Sequence, residues 1–198
     1  AGKKVIAVDG DISLKNLDIP LGMTDKSAYD LTDILNGCDL ERAVQVHDDY
    51  PGLHFIAAPQ EIESAPDSVK FRALCIRLRA SYDFVLIDAP AGVGGWVRDI
   101  ISCCDECVVV ATPDLTALRD AQRVAQLIAD IGNPPAKLVI NKVSPTMINR
   151  GYLQNVDDMM DSVALPLLFP QMTAYLFILT AANPSPVLKA SAQVRLKI

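Results

Sequence analysis

Short apolar runs, each cut off by a polar or turn residue, constrain this chain more than any other feature. Five stand out: Lys4 to Val8, His54 to Ala58, Phe84 to Ile87, Cys107 to Ala111 and Leu138 to Ile140. Most lack clean apolar–polar alternation. A continuous apolar run of this length is what a strand covered on both faces looks like. Between the runs lie segments with helical spacing. Leu31, Ile34 and Leu35 form one face, stopped by Gly37. Val69, Leu74, Ile76 and Leu78 form a second. Leu118, Ala121, Val124, Ala125, Leu127 and Ile128 form a third, ending before Gly132. Val156, Met159, Met160 and Val163 form a fourth. Strands alternating with helices predict an α/β fold, a doubly wound, mostly parallel sheet with helices on both faces.

No linker or repeat divides the 198 residues, so one domain spanning 1–198 is expected. Hydrophobic residues make up 51% and charged residues 21%, enough apolar matter for a real core and too little charge for a disordered chain. The apolar runs fall short of the roughly 18 residues of a membrane-spanning helix, and no charged segment followed by an apolar stretch opens the chain. A net charge of -6 argues against a general nucleic-acid binder. Five cysteines in irregular array (38, 75, 103, 104 and 107) suit a reducing, cytoplasmic setting better than a disulfide framework. Cys104 and Cys107 form a C-x-x-C, but His47 and His54 are distant in sequence, so small buried hydrophobes are the expected role.

In a parallel sheet, ligands bind beyond the carboxyl ends of the strands. Asp9-Gly10-Asp11 follows the first run, Asp88-Ala89-Pro90-Ala91-Gly92 the third, Thr112-Pro113-Asp114 the fourth and Asn141-Lys142 the fifth. Three of these ends carry carboxylates. Carboxylates gathered at one rim repel each other unless a cation or hydrogen-bond donors offset them, and Mg²⁺ is the natural candidate. Asp88 after Phe84-Val85-Leu86-Ile87 has the Walker B form, in which a strand-end Asp reaches Mg²⁺ directly or through water. The plain alternative is a strand that merely ends in Asp. Gly92 adds weight, because a glycine lets backbone amides approach a phosphate.

These residues also carry a family resemblance. Asp9 to Asp18, Ala28 to Gly37, Phe84 to Gly92, Thr112 to Ala121 and Arg150-Gly151 with Val156-Asp157-Asp158 occur in an order that resembles the MinD-type ATPases of the deviant-Walker P-loop family, from residue 1 to about Leu168. The resemblance implies ATP and Mg²⁺ as cofactors and a role in selecting the division septum. It implies that Asp11 orients the attacking water, that Asp9 supports that site and the magnesium shell, and that Asp88 holds Mg²⁺ through water. Asn141 would face the adenine, with Lys142 and Pro170 near it. Asp120 would meet the family's signature lysine across an ATP-dependent homodimer. The helix from Thr116 to Leu127 would be read by MinC-like and MinE-like partners, and the full-length protein would dock reversibly on the membrane. No nucleic acid is expected.

The pattern departs at both ends. No G-x-x-x-x-G-K-[ST] occurs in the 198 residues; Gly92-Val93-Gly94-Gly95 comes nearest and has no lysine. The family's first strand, Walker A loop and first helix are thus expected to be missing, leaving the sheet one central strand short. Toward the other end, Phe169-Pro170-Gln171-Met172 and Asn183-Pro184-Ser185-Pro186 lack the family's acidic residues and glycine, and no amphipathic membrane helix follows. Alternative readings are a flagellar-number or plasmid-partition ATPase of the same superfamily, an iron–sulfur reductase sharing the fold, or an inactive partner-binding fragment.

Overall fold

The computed structural model describes residues 2–24, 28–59, 66–132, 134–151, 155–170 and 179–180, the last two groups without the side chains of 169, 170, 179 and 180. Two sheets form its frame. Strand β1 (Val5–Asp9) lies at the centre of the first, flanked in parallel by β3 (Leu53–Ile56) and β4 (Phe84–Asp88). The two-residue β2 (Gln45–Val46) runs antiparallel along β3, and the equally short β8 (Leu179–Thr180) antiparallel along β4. The second sheet is parallel, in the order β5 (Cys107–Ala111), β6 (Ala136–Ile140), β7 (Leu167–Pro170).

The uninterrupted apolar runs have the predicted cause. On β1, Ile6 and Val8 enter one core with Leu31, Phe71, Leu78 and Ile87, while Ala7 faces the other way, into a smaller core with Leu17, Met23 and Phe55. Both faces are covered, so neither tolerates a polar residue. The second sheet buries Val109, Leu138 and Ile140 against α6 (Leu115–Ile131) and α8 (Val156–Val163).

The helices correct one sequence reading and add another. In α4 (Ser68–Ser81) the buried stripe is Phe71, Leu74 and Leu78; Val69 and Ile76, predicted to share that face, are 76% and 65% exposed. At 100° per residue, Ile76 lies 200° from Leu74, which the spacing 69-74-76-78 obscures. Helix α5 (Gly95–Ser102) was not anticipated. It sends Trp96 and Ile100 into the first core and Val97 and Ile101 into the second, and so joins the two sheets.

The remaining helical segments are short: α1 (Asp18–Leu21), α2 (Leu31–Leu35), α3 (Leu40–Ala43) and α7 (Pro145–Asn149). Helix α2 begins with a capping box between Asp30 and Asp33, and Gly37 follows it with φ +103°, the left-handed stop the sequence signalled. Among the described residues β4 and β5 share no ladder; β8 lies along β4 on the side away from β1. No helix of the described residues is long and apolar enough to cross a membrane.

Candidate nucleotide-switch site

The site is built where β1 and β4 end side by side. Their register pairs Asp9 with Asp88. One residue on, the Gly10 amide donates to the Asp88 carbonyl at 2.8 Å, so the ladder continues past the strand ends. Glycine is required here by space. A Cβ at position 10 would stand 2.7 Å from the Asp88 carbonyl oxygen and 3.1 Å from Ile100 Cδ1.

The three aspartates differ in their bonding. Asp9 is buried, and its two carboxylate oxygens accept from the amides of Asp11 (3.1 Å) and Leu17 (3.2 Å). It therefore fixes the loop between β1 and α1. Asp11 is half-buried; its Oδ1 accepts from the amides of Ser13 (3.0 Å) and Leu14 (3.1 Å), closing the turn that follows. Asp88 is half-buried, and among the described residues no group donates to its carboxylate.

Electrostatics follow from this packing. Burial pushes the Asp9 carboxyl up to about 6; the Leu17 and Asp11 amides oppose that rise, and the charges of Asp88 and Asp11 add to it. Burial, then the neighbouring Asp11 charge, pushes Asp88 up to about 6 as well. A buried and a half-buried carboxylate that resist ionising next to each other are a place where a cation is favourable. Among the described residues no three acidic, imidazole or thiol groups converge into a cage. That donor set fits Mg²⁺, which keeps several waters and takes the rest of its shell from phosphate oxygens.

The other strand ends are separate from this pair. Asp114 caps α6, accepting from the Ala117 amide (2.9 Å) and the Thr112 hydroxyl (2.5 Å), and these bonds hold its pKa low. The reading of three strand-end carboxylates as one cluster is corrected accordingly: Asp114 is a helix cap. Asn141 is buried at the end of β6, its amide bonded to the Ala111 carbonyl and its side-chain oxygen to the Lys142 amide at 2.9 Å. Lys142 is exposed and has φ +59°. Pro170 lies opposite Ile140 at the end of β7, beside that loop, with its side chain outside the described residues. Gly92, with φ +95°, sits in an open bend before α5. Asp120 is exposed on α6, 3.8 Å from Arg123.

Sequence reasoning missed two contributors, the Leu17 amide and Trp96. The indole N–H of Trp96 donates to the Gly10 carbonyl at 2.8 Å, inside the first core. The signal was available: Trp96 is the sole tryptophan of the 198 residues and follows the glycine-rich bend directly. Cys75 neighbours Cys103, and Cys104, near Cys107, donates its thiol to the Ile100 carbonyl at 3.1 Å. The Cys75 partner draws the Cys103 thiol down to about 7, with Arg72 beside it, while Cys75 itself is pushed up.

A parallel sheet with two strand-end carboxylates and a third on the following turn is of the α/β class whose ligands bind beyond the carboxyl ends of the strands. The comparisons narrow the class. A family model described as "Cellulose biosynthesis protein BcsQ" matches residues 54–166. The septum site-determining protein MinD of Helicobacter pylori is 34% identical over 177 residues, covering 85% of this chain and 66% of that protein. A putative MinD of Chlorella vulgaris is 32% identical over 196 residues, covering 92% and 67%. Among solved structures, the MinC:MinD cell division complex of Aquifex aeolicus superposes with a TM-score of 0.78 at 28% identity, covering 85% and 69%. MinD of Pyrococcus horikoshii, complexed with Mg-ADP, superposes with a TM-score of 0.73 at 26% identity, covering 85% and 68%. The chain belongs to the MinD family of the ParA/MinD P-loop ATPases. It spans slightly under two thirds of the first relatives' length.

Proposed function

We propose that this chain carries the switch half of an ATP-binding and ATP-hydrolysing spatial regulator of cell division, one that selects the septum site. The observation behind the reading is the Asp9–Asp88 register pair with Asp11 on the turn beyond it, in a chain of the MinD family. The Mg-ADP bound to the Pyrococcus relative supports ATP and Mg²⁺ as cofactors. When bound, Mg²⁺ would supply positive charge to the phosphate oxygens. Asp88, with its carboxylate free of donors among the described residues, would hold the ion's waters. Asp9 would keep the switch loop in place through its two amide bonds and lend its charge to the same shell. Asp11 has Oδ1 committed to the following turn, so Oδ2 is the oxygen placed to orient a water. In phosphoryl transfer such positioning is most of what a protein contributes.

Asn141, with Lys142 and Pro170 beside it, would form the base-side edge of the nucleotide site. Asp120 and the exposed face of α6 would serve the nucleotide-dependent dimer and its MinC-like and MinE-like partners. The Aquifex relative was solved with MinC, which supports the first partner. We place the full-length protein in the cytoplasm, reversibly at the inner face of the membrane. A second reading, a role in cellulose biosynthesis, has the family-model match over residues 54–166 behind it. Deleting the gene separates the two: misplaced septa support the first, and loss of cellulose with normal septa supports the second.

The chemical test uses the full-length protein. Asp88→Ala should weaken Mg²⁺-dependent nucleotide binding. Asp11→Ala should leave binding largely intact and lower turnover by about 10² to 10³, the effect of removing an interaction made only in the transition state. Parent turnover in Asp11→Ala would overturn the assignment.

A further inference from the structure

Position 10 is held from two sides. Its amide is bound to the Asp88 carbonyl, and its carbonyl accepts both the Ile12 amide at 3.0 Å and the Trp96 indole N–H at 2.8 Å. Trp96 is itself fixed: it is buried in the first core, its ring edge-on to Phe71 with centroids 4.6 Å apart. It belongs to α5, the helix that follows Asp88 through the Gly92 bend. The indole thus ties the turn carrying Asp9 and Asp11 to the segment carrying Asp88 by a bond that neither strand ladder supplies.

We propose that Trp96 is a positioning residue for hydrolysis, holding Gly10 so that Asp11 keeps its place beside the Asp9–Asp88 pair. The inference rests on the reading of Asp11 given above. The indole touches no reacting atom; it acts through the backbone on which Asp11 sits. A buried hydrogen bond of this kind contributes enough to change a rate by about tenfold when the group it orients acts only in the transition state.

The test uses four variants of the full-length protein. Trp96→Phe keeps an aromatic ring and removes the N–H. Phe71→Leu disturbs packing against the same ring and leaves the N–H in place. The other two are Asp11→Ala and the Asp11→Ala/Trp96→Phe double variant. We expect Trp96→Phe to lower kcat about tenfold while KM and nucleotide affinity stay within about twofold. Phe71→Leu should lower the melting temperature and leave turnover per folded molecule at the parent level. In the Asp11→Ala background, Trp96→Phe should lower kcat no further, because the group it positions is gone. Parent turnover by Trp96→Phe beside a slow Asp11→Ala overturns this inference alone, as does a Trp96→Phe loss that multiplies with that of Asp11→Ala or that Phe71→Leu reproduces. An Asp11→Ala variant that hydrolyses at the parent rate overturns the assignment of Asp11, and this inference with it.

Discussion

Asp9 and Asp88 hold their protons to higher pH in the folded chain than free carboxyls do, and that shift sets a direction for stability against pH. Their carboxyls titrate near 6 when folded, against 3.8 ordinarily. A carboxyl raised on folding stabilises the protonated fold. The contribution is fully present below the unfolded value and is lost as pH rises through the folded value. For buried Asp9, a change of about two pH units is on the order of 3 kcal/mol, and its coupling to Asp88 and Asp11 makes that an upper figure. In EDTA, the urea midpoint of the protein should therefore fall between about pH 4 and pH 6 and level off above, and Asp9→Asn should flatten the fall. A midpoint that is level or rising across this range would contradict the burial of the pair. Asp9 and Asp88 were legible as strand-end acids from sequence alone. Their different bonding was not, because the amides of Asp11 and Leu17 reach Asp9 through a turn whose path no periodicity encodes.

Among the elements, helices were read best where a cap agreed with the spacing. Helix α2 has its capping box and stop glycine, and α6 ends at Gly132 as expected. Helix α4 shows the limit. Its apolar residues surround much of the helix, so composition alone does not select the face; Phe71, Leu74 and Leu78 do, through contact with β1 and β4 neighbours in the same core. Leu74→Ala should cost about 2 to 4 kcal/mol, the range for a buried leucine that leaves a cavity. Val69→Ala and Ile76→Ala should stay within about 0.5 kcal/mol, as exposed substitutions do. Urea denaturation of the three variants measures this, and a large loss at Ile76 would place it against a surface this fold leaves open. Helix α5 escaped notice because Gly92, Gly94 and Gly95 read as loop. Its helical stripe of Trp96, Val97, Ile100 and Ile101 is split between two cores and spans under three turns.

At the scale of the whole molecule, the positions of five strands along the chain and their polar ends were legible because a parallel sheet writes both into short apolar runs, whereas the spatial order of the strands was not. The separation of β4 from β5 into two sheets was not legible; what the sequence does show is that no motif of the form G-x-x-x-x-G-K-[ST] occurs in the 198 residues. That absence has a binding consequence. Phosphates carry charge that a nucleotide site offsets with a ring of backbone amides and a lysine at a helix N-terminus. The nearest substitute, Gly92 to Gly95, is exposed, contains no lysine and leads into α5 with Gly94 as its N-cap. Asp9, Asp11 and Asp88 add negative charge at the same rim, which repels a triphosphate unless Mg²⁺ and a cationic loop are both present. The 198-residue polypeptide should therefore bind Mg-ATP weakly, with hydrolysis near background, even when folded. Titration calorimetry with and without Mg²⁺, on protein whose fold is checked by circular dichroism, measures this. Tight, Mg²⁺-dependent binding by these 198 residues would mean that the Gly92–Gly95 bend, or another backbone segment, cradles phosphate without a lysine.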